Sequence, residues 1–239
     1  MAAHAANGRP REGRERGLAY SLYLPDHEPR AGVVVLHGWG SRRQNHADFA
    51  LRARGAGLAA LVYDARGHGE SPGPLGPWAI EDAVAMGDLL RALAPAVAYR
   101  GSSMGGFSAL HAGALDAEAA AVVAVCPAPA EQLLDGLFSG RLDGVEVDRP
   151  ALERWLPGAG LEGAVDVLAG RTALLLQHAE ADDVVPVAGT RALYERAGEP
   201  RALTVVSGGD HRSAQHDPGL QDESVAWVLE AAGRRASRA

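Results

Sequence analysis

The chain has 239 residues, of which 47% are hydrophobic and 22% are charged, and its formal net charge is −7. This length is typical of one domain with a substantial core, and the acidic balance argues against a nucleic-acid partner. The single cysteine, Cys126, excludes an internal disulfide, and its position at the end of an apolar run predicts a buried thiol.

The first 16 residues are polar and include several arginines. They lack the apolar segment of a signal peptide, so we expect residues 1–16 to form a polar tail and residues 17–239 to form a single domain. No stretch of the sequence reaches the roughly 18 uninterrupted apolar residues that a membrane span requires. The sequence therefore predicts a cytoplasmic protein with no membrane partner.

Short apolar runs alternate with helical patterns along the rest of the chain. Leu18–Leu24 alternates between apolar and polar residues and predicts an outer antiparallel strand. Later runs are almost continuously apolar, which is typical of parallel strands covered on both faces. These runs are Ala31–Leu36, Leu58–Tyr63, Ala96–Arg100, Ala121–Cys126, Thr172–Gln177 and Ala202–Val206. The helical patterns are about Gln44–Arg54, Trp78–Ala94, Met104–Leu115, Val187–Ala197 and Gly219–Ala232. This alternation predicts the α/β class, with a doubly wound, mostly parallel sheet.

The interval from residue 128 to about residue 170 interrupts this alternation, because it contains helical patterns but no strand. We predict that it forms a short helical lid inserted in the domain. It starts from the edge of the sheet where the strands end, so it can supply apolar walls for a substrate. Leu137, Phe138 and Trp155 are the predicted substrate-binding residues. Acidic residues in the same interval disfavour a strongly anionic substrate.

A Gly-x-Ser-x-Gly pattern spans residues 101–105, with Ser103 at its centre. It lies between a predicted strand and a predicted helix, which is the context that a nucleophile elbow requires. Ser103 must then adopt a strained backbone conformation, and side chains at positions 101 and 105 would clash with the neighbouring strand and helix. In a chain with 30 glycines, composition alone produces such a match roughly one time in five. Its significance therefore depends on its surroundings.

Three further polar segments follow predicted strands. Residues 37–40, which include Trp39, follow the first parallel strand, while Asp182 and His211 follow the last two apolar runs. Because ligands bind outside the carboxyl ends of parallel strands, we expect these segments to lie near Ser103. A serine hydroxyl is nearly inert at neutral pH and needs an adjacent base, which a neutral imidazole can provide.

Five motifs resemble the α/β-hydrolase family, in particular small bacterial lid-bearing serine esterases. They are Leu36-His37-Gly38-Trp39-Gly40, the Gly-rich turn Tyr63–Ser71, Gly101-Ser102-Ser103-Met104-Gly105-Gly106, Asp182-Asp183-Val184-Val185-Pro186 and Gly209-Asp210-His211-Arg212. The likeness covers about residues 17–235. It implies that Ser103 is the nucleophile, that His211 is the base and that Asp182 orients His211. It also implies an oxyanion hole made of the backbone N–H groups of Trp39 and Met104.

The choice of acid stays open between two neighbours. Asp182 lies four residues before Pro186, as in the acid turn of the family, but Asp183 is adjacent to it. The family usually has glycine after the histidine that ends the preceding strand, whereas this chain has Ala179 there. A changed turn can alter which of the two carboxylates faces the histidine.

The base and the reaction also have alternatives. His216 competes with His211, but we expect His216 to precede the final helix, with Asp217 as the helix cap. The favoured function is hydrolysis of small to medium carboxylic esters through an acyl-serine intermediate. A thioesterase, acyltransferase or peptidase can use the same triad, and a non-catalytic, hydrolase-like binding protein is an alternative of another class. No metal-ligand spacing or dinucleotide motif is present, so we expect no metal and no cofactor.

Overall fold

The structure, a computed structural model, describes residues 9–141 and 144–237. Its strands are β1 (Arg11–Glu15), β2 (Leu18–Tyr23), β3 (Ala31–Leu36), β4 (Leu58–Tyr63), β5 (Val97–Ser102), β6 (Ala119–Val125), β7 (Ala173–Ala179) and β8 (Arg201–Val206). They form an eight-stranded sheet in the order β1-β2-β4-β3-β5-β6-β7-β8. β2 runs antiparallel to both of its neighbours, β1 and β4. The strands from β3 to β8 are parallel to one another. The predicted α/β class with a mostly parallel sheet is confirmed.

Helices cover both faces of this sheet. They are α1 (Ala47–Gly55), α2 (Ala79–Arg91), α3 (Met104–Leu115), α4 (Ala130–Ser139), α5 (Arg149–Trp155), α6 (Leu161–Leu168), α7 (Val187–Arg196), α8 (Ser213–His216) and α9 (Pro218–Ala236). Successive residues of a strand point to opposite faces. Val33 and Val35 therefore join the core under α1 and α9, while Val34 and Leu36 join the core under α2 and α3. Within the described residues, no helix is both long and apolar enough to cross a membrane.

The structure differs from the predicted polar tail at residues 1–16. Residues 11–15 form the edge strand β1, which pairs with β2 from Arg11 opposite Leu22 to Glu15 opposite Leu18. The connecting residues Arg16 and Gly17 both have positive φ, at 52° and 83°, as the tightest β-hairpin turns require. The strand is polar because it lies at the sheet edge, where charged side chains protect against further pairing. Residues 1–8 lie outside the described part of the chain.

The segment from residue 128 to residue 170, called the insertion below, connects β6 to β7 and contains α4, α5 and α6. Residues 142–143 within it lie outside the described residues. Two backbone hydrogen bonds join it to Leu75 of the domain. The Leu75 N–H donates to the Glu146 carbonyl at 2.8 Å, and the Leu75 carbonyl accepts from the Asp148 N–H at 2.8 Å. α6 packs against α3 and α7, whereas α4 and α5 contact each other. The insertion thus combines a helix of the outer layer with two helices beside the strand ends.

Candidate active site

Ser103 lies at the junction of β5 and α3 with φ of 56° and ψ of −120°, a strained conformation for a residue other than glycine. A Cβ atom at Gly101 would overlap the carbonyl oxygen of Gly105. A Cβ atom at Gly105 would overlap the carbonyl oxygen of Leu36 on β3. Because these obstacles are backbone atoms, no side-chain movement can relieve them. Both glycines are therefore required for the turn that places Ser103 at the carboxyl end of β5.

A histidine and a carboxylate form a pair at the same edge of the sheet. His211 Nδ1 lies 2.7 Å from Asp182 Oδ2. The Asp182 side chain is 0% exposed and that of His211 is 14% exposed, whereas Asp183 is exposed. The structure therefore places Asp182, and not Asp183, against the histidine.

The Asp182 carboxylate is held as an anion. Its Oδ1 accepts hydrogen bonds from the N–H groups of Val184 at 2.9 Å and Val185 at 2.8 Å. Burial acts to raise its pKa, but the bonds from His211 and from these two N–H groups outweigh burial and hold the pKa below its usual value. An anionic Asp182 fixes the proton of His211 on Nδ1 and leaves Nε2 as the acceptor.

Buried His178, which the sequence analysis did not assign to the site, lies beneath the acid turn. Its Nε2 lies 2.9 Å from the Val185 carbonyl oxygen and 3.4 Å from Asp182 Oδ2, and its Nδ1 lies 2.7 Å from Thr190 Oγ1. These contacts connect the turn to β7 and α7. The sequence signal that could have indicated this role is a histidine at the end of a strand, four residues before the acidic residue Asp182.

The end of β6 lies between Ser103 and the acid–base pair. The Ser103 N–H donates to the Val125 carbonyl at 2.9 Å. The next residue, Cys126, brings Sγ within 4.8 Å of ligand atoms of both Asp182 and His211. Within the described residues, no hydrogen bond joins the Ser103 hydroxyl to the His211 ring. Catalytic hydrogen bonds of this type often form only when substrate is bound.

Cys126 is the predicted buried thiol, at 1% exposure, but the sequence did not indicate its contact with the acid. Its φ of 44° turns the chain away from the sheet at the end of β6. Burial, with the neighbouring Asp182 carboxylate, raises the pKa of the thiol to about 12, so it is protonated at neutral pH. Among the described residues, Cys126, Asp182 and His211 are the one group whose spacing suits a metal ion. Metal binding there would require loss of the thiol proton and of the hydrogen bond between Asp182 and His211.

Two backbone N–H groups are available near Ser103. Met104 is the first residue of α3, so its N–H has no partner within the helix. Trp39 follows Gly38, whose Cβ position would lie 3.3 Å from the carbonyl oxygen of Ser102. The loop that carries Trp39 therefore lies against the β5–α3 turn. Neither N–H donates to an acceptor among the described residues.

Two buried histidines hold the loop at residues 37–40. His37 Nδ1 lies 2.8 Å from the Gly38 carbonyl oxygen, and its Nε2 accepts from the Ala65 N–H at 3.0 Å. His68 Nε2 accepts from the Gly40 N–H at 3.1 Å. Burial lowers the pKa of His37 to about 4 and also lowers that of His68. Both rings are therefore neutral at neutral pH and can accept these hydrogen bonds.

An apolar pocket adjoins Trp39 and Met104. It is lined by Trp39, Leu75, Gly76, Ala79, Ile80, Met104, Phe107, Ser108, Leu133, Leu137, Leu152, Trp155 and Leu156. Two of the predicted substrate-binding residues, Leu137 and Trp155, line it. The third, Phe138, does not line this pocket: it is 61% exposed, and the Arg149 guanidinium lies 5.3 Å from the centroid of its ring. Neighbouring residues of α4 lie about 100° apart around the helix, so one faces the pocket and the other faces outward.

The competing histidine, His216, lies elsewhere. Its Nδ1 is 2.8 Å from Asp48 Oδ2, and its side chain is 42% exposed. Asp217 Oδ1 accepts from the Leu220 N–H at 2.9 Å, so Asp217 caps α9 as predicted. The histidine that contacts Asp182 is thus His211.

The doubly wound sheet, the elbow turn and the histidine–carboxylate pair together define a hydrolase of the α/β type. A family model described as serine aminopeptidase, S33, matches residues 27–141. An uncharacterized protein of Mycobacterium tuberculosis is 31% identical over 215 residues, covering 85% of this chain and 70% of that protein. The chain belongs to the α/β-hydrolase family.

Two further proteins are similar over most of the chain. A monoacylglycerol lipase of Mycolicibacterium smegmatis is 25% identical over 262 residues, covering 89% of this chain and 92% of that enzyme. The solved structure of Est1E from Butyrivibrio proteoclasticus superposes with a TM-score of 0.71 at 17% identity, covering 94% of this chain and 99% of that one. At this identity the structural likeness concerns the fold.

Proposed function

We propose that the protein is a serine hydrolase that cleaves small to medium carboxylic esters through an acyl-enzyme intermediate. Ser103 is the nucleophile, His211 is the general base and Asp182 orients His211. The backbone N–H groups of Trp39 and Met104 form the oxyanion hole. The observation that carries this proposal is the strained conformation of Ser103 at the β5–α3 turn, with φ of 56°. Strain of this kind costs of order 1–3 kcal/mol and persists where the function of the residue requires it.

The reaction follows from these positions. His211 Nε2 takes the hydroxyl proton as Ser103 Oγ attacks the ester carbonyl, and the carbonyl oxygen becomes an anion facing the two N–H groups. The imidazolium then gives the proton to the leaving alcohol, which leaves an ester between Ser103 and the acyl group. Water attacks this ester as His211 takes its proton. The imidazolium then gives that proton to Ser103 Oγ as the bond to the acyl group breaks, and the free acid is released.

The pocket and the insertion support an apolar substrate group. Leu133 and Leu137 on α4, Trp155 on α5 and Phe107 on α3 all line this pocket. Phe107 and Trp155 meet edge to face at 5.6 Å between ring centroids. We propose that the insertion acts as a lid whose apolar wall holds the acyl or alcohol group. Monoacylglycerols are one ester class to test, since a relative is described as a monoacylglycerol lipase.

Peptide hydrolysis is less well supported, although the matching family model is described as serine aminopeptidase. An aminopeptidase must bind a substrate ammonium group, and a carboxylate is the usual partner for such a cation. The described residues that line the pocket include no acidic side chain. The pocket therefore favours an ester with an uncharged, apolar group.

Covalent labelling and substrate assays test this function together. We expect a fluorophosphonate to add to wild-type protein at Ser103, as located by peptide mass spectrometry, and not to Ser103→Ala. We expect p-nitrophenyl esters and monoacylglycerols to be hydrolysed faster than acyl-CoA or aminoacyl anilides. Labelling at Ser103 with turnover of anilides alone would assign a peptidase. No labelling and no turnover would assign a non-catalytic binding protein.

A further inference from the structure

Arg100 is an unusual residue for the strand that leads to Ser103. It lies on β5 and is 1% exposed, and its guanidinium lies 4.0 Å from the centroid of the Phe49 ring. It donates to Ser224 Oγ at 3.3 Å and to the Gln215 carbonyl oxygen at 3.2 Å, which are both uncharged acceptors. Burial lowers its pKa to about 10, so it remains charged at neutral pH. The Asp48 carboxylate acts against this shift, but a buried cation whose hydrogen-bond acceptors are neutral remains costly, which points to a positioning role for its contacts.

Gln215 receives a second hydrogen bond from the same strand. Ser102 is 4% exposed, and its hydroxyl donates to Gln215 Oε1 at 2.6 Å. Arg100 therefore binds the main chain of Gln215, and Ser102 binds its side chain. Ser102 immediately precedes Ser103, so any displacement of the β5–α3 turn is transmitted directly to this contact.

Gln215 belongs to the segment that carries His211. It lies in α8, a helix of four residues that begins two residues after His211. A helix of one turn is not stable by itself, so tertiary contacts must determine its position. The contacts from Ser102 and Arg100 span 113 and 115 residues of sequence. They connect the strand of the nucleophile to the segment of the base.

We propose that Arg100, Ser102 and Gln215 form a clasp that positions His211 relative to Ser103. The proposal rests on the proposed function, because it concerns the two reacting groups of that site. None of the three residues of the clasp lines the apolar pocket, so they act as positioning residues. Because the clasp begins one residue before the nucleophile, it maintains the separation of the two groups when other loops move.

Two alanine substitutions of buried hydroxyls test the clasp. Ser102→Ala removes the bond to Gln215. The control Ser224→Ala removes the bond from Arg100, together with the Ser224 bonds to Gln177 and to the Leu220 carbonyl, and leaves both contacts to Gln215. We expect Ser102→Ala to lower kcat about 10- to 100-fold with little change in KM, since small misplacement of reacting groups has effects of that size. Ser224→Ala should lower the melting temperature and leave kcat unchanged.

Substitutions of Gln215 provide a rescue experiment. Gln215→Leu removes the side-chain acceptor and should reproduce the loss in kcat. Gln215→Glu keeps an acceptor oxygen for the Ser102 hydroxyl and should restore kcat to near the wild-type value. A purely structural role would make the loss in kcat follow the loss in melting temperature across all of these variants, which would overturn the clasp.

Hydrogen exchange separates failure of the clasp from failure of the proposed function. Amides of residues 208–217 should exchange faster in Ser102→Ala than in Ser224→Ala, whether or not the protein hydrolyses esters. If wild type neither labels at Ser103 nor hydrolyses esters, the proposed function fails and the exchange rates alone decide whether the clasp holds this segment. Equal exchange in the two variants would overturn the clasp even in an active enzyme.

Discussion

The two sides of the candidate site are built by different means. The nucleophile side, comprising residues 101–105, depends on backbone geometry. Gly101 and Gly105 are required there because neighbouring carbonyl groups leave no room for a Cβ atom. The acid–base side, comprising residues 178–186 and residues 207–217, depends on side-chain hydrogen bonds instead. His211 is held by Asp182, which is 29 residues distant in sequence, and Gln215 is held by Ser102, which is 113 residues distant.

This difference predicts how each side responds to change. Backbone geometry tolerates few substitutions at the glycines but needs no side-chain hydrogen bond to a distant residue. Side-chain hydrogen bonds are replaceable one by one, but losing one partner leaves the other buried and unsatisfied. We therefore expect the nucleophile side to keep its backbone conformation, and we expect the position of the acid–base side to change when one of its hydrogen bonds is removed.

The largest effects should come from the two reacting groups, one on each side. Ser103→Ala and His211→Ala should each lower kcat by roughly 10⁵-fold or more, and the double variant should be little worse, because the two residues act as a unit. Steady-state kinetics on a p-nitrophenyl ester measures this, with circular dichroism to verify folding. Losses that multiply in the double variant would mean that the two sides act independently.

The adjacent carboxylates of the acid turn provide the next comparison. Asp182→Asn should lower kcat by roughly 10⁴-fold, because an amide favours the wrong tautomer of the histidine. Asp183→Asn is the matched control and should retain wild-type kcat, since Asp183 is exposed. Equal losses in the two variants would show that the acid turn rearranges in solution.

Two neighbours on α4 give a smaller effect. Leu137 is 6% exposed and lines the pocket, whereas Phe138 is 61% exposed. Leu137→Ala should lower kcat/KM for a medium-chain ester about tenfold, because one buried apolar contact contributes of order 1.5 kcal/mol. Phe138→Ala should leave kcat/KM unchanged. A larger loss at Phe138 would place the substrate on the outer face of the insertion.

The smallest predicted effect is on the pH dependence of stability, and it concerns the buried side chain of His46. His46 lies 6.4 Å from the His37 ring and 6.2 Å from the His216 ring, and its Nε2 is buried without a hydrogen-bond partner among the described residues. Burial, with the nearby positive charges, lowers its pKa from 6.5 to about 3. Between these values the unfolded state binds one more proton, so stability decreases as the pH falls.

His46→Phe should remove this contribution. The free energy of unfolding should then depend less steeply on pH between 6 and 4, by about 1.4 kcal/mol per pH unit. Urea unfolding at several pH values measures the slope, and His27→Gln, at an exposed position, is the control. An unchanged slope in His46→Phe would mean that His46 gains a proton in the folded state.

Sequence patterns predicted best the strands that are buried on both faces. β3 and β4 begin and end where their apolar runs do, because strands buried on both faces need continuous apolar residues. β5 continues two residues beyond its predicted end at Arg100. The end was predicted there because a charged residue ordinarily marks the end of a strand, but this arginine is buried against the Phe49 ring and the strand continues past it. β1 was not predicted, because an edge strand made of polar residues shows no alternation of apolar and polar residues.

By itself, the sequence determined the α/β fold and the elbow at Ser103. Both depend on local rules: the period of apolar residues and the absence of a Cβ atom at two positions. Tertiary structure decided between Asp182 and Asp183 as the partner of His211, and it alone showed that Phe138 faces outward and that Cys126 contacts the acid. Each of these depends on the direction of a side chain in a turn or helix, and residues adjacent in sequence have different directions there. The clasp from Arg100 and Ser102 to Gln215 joins residues more than 100 positions apart, so no local pattern could reveal it.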